Sequence, residues 1–157
     1  MKLYLAYGSN LSVEQMERRC PDAKPIGKAI LPDWKLLFKI HATIEPCKGS
    51  KVPVLVWKIS DRDEQNLDRY EGYPSYYTKQ DMEILMTDLR GRNPRPATAM
   101  VYIMADGHRV RMPMKGYVDI LVEGYERFGF DMDILREALR ETHDIAEKEA
   151  ELYDRFS

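Results

Sequence analysis

The sequence predicts an α+β fold built on a small, strongly curved sheet. Three observations carry this prediction. Apolar stretches of strand length recur along the chain, most of their connections are of turn length, and the longer helical patterns are concentrated in the second half. A doubly wound parallel sheet would need a helix after nearly every strand, which this order does not supply.

Each element has its own local reason. Lys2 to Tyr7 alternates, with Leu3 and Leu5 on one face and Tyr4 and Ala6 on the other, and is read as a strand. Ser12 to Gln15 fits an S-x-x-Q capping box, after which Val13, Met16 and Cys20 recur at helical spacing until Pro21 stops the helix. Ala29–Leu31, Trp34–Ile40 and Val52–Ile59 read as short strands, with Pro32-Asp33 and Lys48-Gly49-Ser50 as turns between them. Asp61 to Tyr70 reads as a helix capped at Ser60 or Asp61, with Leu67 and Tyr70 facing inward and Glu71-Gly72 closing it. Tyr76–Met86 and Ala97–Met104 read as strands around the polar loop TDLRGRNPRPA. Tyr117, Ile120, Leu121 and Tyr125 give one apolar helical face. Asp131 to Phe156 forms a second helical region, with a break expected near Thr142.

The 157 residues show no repeat or linker and are read as a single domain, 1–157, with 131–157 as a C-terminal helical extension. A hydrophobic fraction of 44% with 32% charged residues excludes a disordered chain. A net charge of -2 gives no electrostatic reason to expect nucleic acid or an anionic membrane as partner. No apolar run approaches the ~20 residues that span a bilayer. The opening MKLYLAYGSN does not fit a signal peptide, so a cytoplasmic location with free thiols at Cys20 and Cys47 is expected. Three scattered histidines and two cysteines make no metal-ligand spacing, and no metal is expected. Nothing in the pattern sets an oligomeric state.

Two stretches bear on chemistry. Tyr7-Gly8-Ser9-Asn10-Leu11 stands where a strand hands over to a helix, and it admits two readings. One is a turn with a cap. The other is a ligand loop whose free N–H groups and helix dipole suit a carboxylate or an oxyanion. In "LDRYEGYPSYY", Glu71 ends a helix, where the dipole disfavours an anion, and four tyrosines (Tyr70, Tyr73, Tyr76 and Tyr77) surround it in sequence. A carboxyl in such company is either a solvated glutamate beside core aromatics or a general base with a raised pKa. The histidines have no companions at a telling interval, Trp34 and Trp57 read as core, and the arginines from Arg90 to Arg111 read as solvated loop charge.

Taken together, "YGSNL", "RCPDAKPIGKAIL", "VPVLVWKIS", "LDRYEGYP" and "GYERFGF" resemble the γ-glutamylcyclotransferase-like family from residue 3 to about residue 130. The resemblance implies a small mixed β-barrel with flanking helices. It also implies an enzyme that cyclises a γ-glutamyl amide to 5-oxoproline and releases the amine, an intramolecular aminolysis of acyltransferase or lyase type. No cofactor is implied, because nucleophile and electrophile share one molecule. Glu71 matches the catalytic glutamate, taking a proton from the α-ammonium and delivering it to the departing amine. Tyr7, Gly8, Ser9, Asn10 and Leu11 match the substrate-binding loop, holding either the α-carboxylate or the oxyanion. Tyr77 matches the tyrosine that follows the glutamate, with Tyr76 as a substitute. Tyr117 matches a further pocket tyrosine, although its helical face shared with Leu121 also reads as core. The loop Thr87–Ala97 and the turn Asp106–Lys115 are expected to wall the leaving-group side. The alternative is a non-catalytic small-molecule binding or interaction module on the same fold, and fold alone does not choose the leaving amine.

Overall fold

The computed structural model describes residues 1–156. Five strands form a closed barrel: β1 (Lys2–Ala6), β2 (Lys24–Lys39), β3 (His41–Ile59), β4 (Tyr77–Thr87) and β5 (Arg95–Met104). Around the barrel the order is β1-β3-β2-β4-β5. Every pairing is antiparallel except β1 with β5, so the sheet is mixed. Four helices flank it: α1 (Val13–Arg19), α2 (Asp61–Glu71), α3 (Lys115–Phe128) and α4 (Met132–Arg155). The core includes Leu5, Phe38, Ile44, Leu55, Trp57 and Met100 from the barrel, with Met16, Leu67 and Tyr125 from the helices, all buried. Their burial is the main favourable term holding helices to barrel.

The expected fold class holds, and several local expectations are corrected. Ala29–Leu31 and Trp34–Lys39 are parts of one long strand, Ile40 lies outside it, and Val52–Ile59 is the second half of another that begins at His41. The turn residues expected between strands lie side by side in a bulge of the β2–β3 ribbon, with Asp33 at φ 63° and its carboxylate accepting from Gly49 N–H at 2.9 Å. The ribbon actually reverses at Ile40, where Lys39 pairs with His41. Ile40 has φ 70°, unfavourable for a β-branched residue. It is held by its N–H donating to Arg111 C=O, while Arg111 N–H donates to Phe38 C=O.

Ser12 caps α1 by accepting from Gln15 N–H, but the return bond of a capping box is missing because Gln15's amide turns towards Ser9 and Asn10 instead. The reciprocal box forms at α2, where Ser60 and Asp63 bond each other's backbone N–H. Leu67 is buried as expected, whereas Tyr70 is exposed. Gly72, at φ 63°, ends α2 in the left-handed conformation and leaves Glu71 at the helix's last position.

Helix α4 runs unbroken through Thr142. The Thr142 hydroxyl donates to Ala138 C=O at 2.7 Å and accepts from Phe38 N–H at 3.2 Å, so the residue expected to interrupt the helix ties it to β2. Both groups are fully buried. Thr142→Val is expected to cost about 1–3 kcal/mol, since it strands a buried N–H. Urea unfolding checks this, and an unchanged midpoint would show that the bond contributes nothing.

Candidate active site

Glu71 and the turn after β1 open onto one cavity of about 220 Å³ at an end of the barrel. Tyr7, Gly8, Ser9, Asn10, Glu71, Tyr77 and Tyr117 all line it. Leu11 does not. Its side chain is fully buried against Gly124 of α3, where an added Cβ would meet Leu11 Cβ at 2.6 Å. Leu11 therefore seats the turn from behind.

The turn is a short 3-10 segment, Ser9–Leu11, closed by Leu11 N–H to Gly8 C=O and Ser12 N–H to Ser9 C=O, each 3.0 Å. Those two bonds leave the Gly8 and Asn10 N–H groups outside the turn's own ladder. Gly8 stands at close approach: a Cβ there would lie 3.1 Å from Tyr117 Oη and 3.3 Å from Ala42 Cβ. Asn10 is buried, with its amide donating to Tyr4 Oη at 2.9 Å and its oxygen accepting from Arg19 at 3.1 Å. Gln15, turned so that its oxygen faces Arg19, accepts from the guanidinium at 2.8 Å.

Glu71 is half-buried, and burial pushes its carboxyl up to about 7, against the partial pull of Arg19. Arg19 stacks over the Tyr70 ring at 4.6 Å, and the Asn10 bond fixes its other side. Arg19→Met is expected to move Glu71's titration midpoint higher still, because the opposing charge of the guanidinium is gone. Carboxyl NMR titration reads this directly, and an unmoved midpoint would mean that Glu71 does not feel the guanidinium.

Three of the four tyrosines adjacent to Glu71 in sequence, Tyr70, Tyr76 and Tyr77, line the cavity with it, and Tyr4, Tyr7, Tyr102 and Tyr117 join them from elsewhere in the chain. Tyr73 lies elsewhere, under Lys79 Nζ at 4.3 Å. Tyr4, Tyr7, Tyr76, Tyr77, Tyr102 and Tyr117 are the ones whose hydroxyls burial pushes up and Glu71's charge raises further. Three of these hydroxyls serve the walls. Tyr7 donates to Tyr102 C=O at 2.7 Å, Tyr102 to Asp68 at 2.7 Å, and Tyr77 to Ala42 C=O at 2.7 Å. Tyr117 is arranged oppositely: its oxygen accepts from Ala42 N–H at 2.9 Å, and Ser9 N–H also points to it. A phenol oxygen accepting in this way keeps its own proton for the cavity.

Arg19, Gln15, His41 and Tyr102 were not among the expected site residues, yet all line the cavity. The loop Thr87–Ala97 does not line it, because Tyr77 and Thr87 are opposite ends of β4 and the cavity is at the Tyr77 end. From the turn Asp106–Lys115, His108 reaches the rim by packing on Tyr76 with ring centroids 5.0 Å apart. Among the described residues no group of three or more His, Cys, Asp or Glu is placed to hold a metal ion. Among the described residues no helix is long and apolar enough to cross a membrane. Cys20 and Cys47 are unbridged, and burial pushes the Cys20 thiol up to about 12.

The site is thus an acid and a helix-opening turn facing one cavity of a closed five-stranded barrel. A solved structure described as "Gamma-glutamyl cyclotransferase" superposes with a TM-score of 0.71 at 27% identity, over 94% of this chain and 98% of that one. Residues 4–127 match the family model "Gamma-glutamyl cyclotransferase, AIG2-like", and the chain belongs to that family. Gamma-glutamylcyclotransferase of Mus musculus is 32% identical over 128 residues, 65% of this chain and 68% of that protein. The Bos taurus protein of the same name is 38% identical over 85 residues, 46% of this chain, and the match spans 45% of that relative's length, a little under half.

Proposed function

We propose that this protein cyclises a γ-glutamyl amide to 5-oxoproline and releases the amine. The observation that carries the reading is Glu71, titrating near 7 and lining the same cavity as the Gly8–Asn10 turn. A carboxyl with that pKa is useful both as base and as acid at neutral pH. Glu71 takes a proton from the substrate's α-ammonium, and the freed amine attacks the γ-carbonyl of the same molecule. Holding the two ends together replaces a second reactant by effective concentration, so no cofactor is called for. The Gly8 and Asn10 N–H groups and the Tyr117 phenolic proton are neutral donors suited to the oxyanion on the γ-carbonyl. Arg19, the arginine in the lining, takes the α-carboxylate. Tyr7 and Tyr77 hold the walls in place, and Leu11 seats the turn.

The test is a screen of γ-glutamyl-amino acids, γ-glutamyl-amines and glutathione for 5-oxoproline. Release from at least one class is the expected result. Ligands with a free α-amino-acid end that raise the melting temperature while no substrate yields product would instead mark a non-catalytic binding module.

A further inference from the structure

Proton stoichiometry asks more of this cavity than one carboxyl supplies. An α-ammonium has to lose two protons to become the ring amide nitrogen, and the departing amine gains two to leave as an ammonium. Glu71 holds one proton at a time. The cavity has a second group placed for the other transfer. Tyr76 Oη lies 2.8 Å from His41 Nδ1, both residues line the cavity, and His41 is exposed to solvent.

We propose that Tyr76 is the acid that protonates the departing amine and that His41 is the relay that reprotonates Tyr76 from water. This rests on the cyclotransferase reading above.

The geometry around the pair is built on both sides. The Tyr76 ring is stacked on Tyr77 at 5.1 Å and packed by His108 at 5.0 Å on the other side. Its backbone N–H donates to Gly72 C=O at 2.8 Å, which places it one turn beyond Glu71. His41 packs edge-on against Tyr117 at 5.5 Å. It follows the reversal at Ile40 and precedes Ala42, whose N–H and C=O are held by Tyr117 and Tyr77. Three aromatic side chains, Tyr77, His108 and Tyr117, and one reversed strand thus fix a contact between residues 35 positions apart.

In the step itself, the α-amine nitrogen has already bonded to the γ-carbon. The bond from that carbon to the leaving nitrogen breaks, its electron pair stays on nitrogen, and the Tyr76 phenolic proton joins it. His41 Nδ1–H passes its proton to the tyrosine oxygen while the imidazole takes one from water. The ring nitrogen's remaining excess proton returns to water, and Glu71 gives its own to the freed amine. Protons balance, and no oxidant or other reactant enters.

Leaving groups separate a relay from a structural contact. A γ-glutamyl alkylamide expels a strongly basic amine and needs an acid; γ-glutamyl p-nitroanilide expels a weakly basic one and needs little help. On the alkylamide, Tyr76→Phe is expected to lower kcat about 100-fold and His41→Asn about 10-fold, because asparagine keeps a hydrogen bond but relays no proton. On the anilide, both variants are expected to lose far less than on the alkylamide, and an unshifted melting temperature shows that they are folded. Equal losses on both substrates would overturn the proposal, and so would unchanged rates on the alkylamide. A parent protein that releases 5-oxoproline from no class of the γ-glutamyl screen would overturn the cyclotransferase reading itself, and this proposal with it.

Discussion

Glu71→Gln is expected to lower 5-oxoproline release about 1,000-fold while leaving ligand-induced thermal shifts in place. Glutamine keeps the size of the side chain and removes only the titrating group. In the parent protein kcat/KM is expected to rise with pH through a midpoint near the Glu71 value of about 7, because a base has to be ionised in the free protein. The same substitution has a consequence for stability. Burial raises the folded carboxyl above its ordinary 4.5, so between about 4.5 and about 7 the folded chain binds more protons than the unfolded one. Glu71's contribution to stability is complete below 4.5 and is lost as pH rises through 7. Glu71→Gln should therefore melt higher than the parent at pH 8 and show no such advantage at pH 4. Full turnover in the variant, or a lower melting point at pH 8, would remove Glu71 from the role assigned to it.

Gly27→Ala is expected to destabilise the protein by about 3 kcal/mol or more, about 10 °C in melting temperature for a chain of this size. Strands β2 and β4 are paired only through Lys28 with Thr87 and Ala29 with Met86, and this short ladder closes the barrel. A Cβ on Gly27 would lie 2.1 Å from Thr87 C=O and 2.7 Å from Met86 Cε. The methionine end can swing aside; the backbone carbonyl cannot without parting the strands. Gly116→Ala is the informative contrast. That site lies in α3 with nothing within 4 Å of the added carbon, and helix propensity alone should stabilise it by up to about 1 kcal/mol. Equal melting points for the two variants would mean that the seam accommodates a methyl group.

Much of this molecule is legible in its sequence, and the parts that are not share a reason. Leu67, Glu71 and Gly72 follow from helical spacing and a left-handed cap, which are local signals. The strand reversal at Ile40 was invisible because an isoleucine at positive φ is among the last residues local chemistry would select. It persists through its bond to Arg111, which lies 71 residues further along the chain (111 − 40 = 71). Conversely, Pro32-Asp33 and Lys48-Gly49-Ser50 look like two turns and serve as the two sides of one bulge. In the cavity, the Gly8–Asn10 turn and Glu71 carry short-range signatures. His41 has none, since its companion Tyr76 comes 35 positions later and only the barrel brings them together. Arg19 looks like an ordinary surface cation on a short helix until Tyr70 and Asn10 are placed on either side of it.

Helix α4 lies wholly beyond residues 4–127, the stretch that defines the family. It nonetheless braces β2 twice, through Thr142 on Phe38 and through Glu141 on Lys35 at 2.6 Å. Phe38 is two residues before the reversal that presents His41 and Ala42. A helix outside the stretch matched by the family model thereby sets where the strand end carrying His41 and Ala42 stands at the cavity wall.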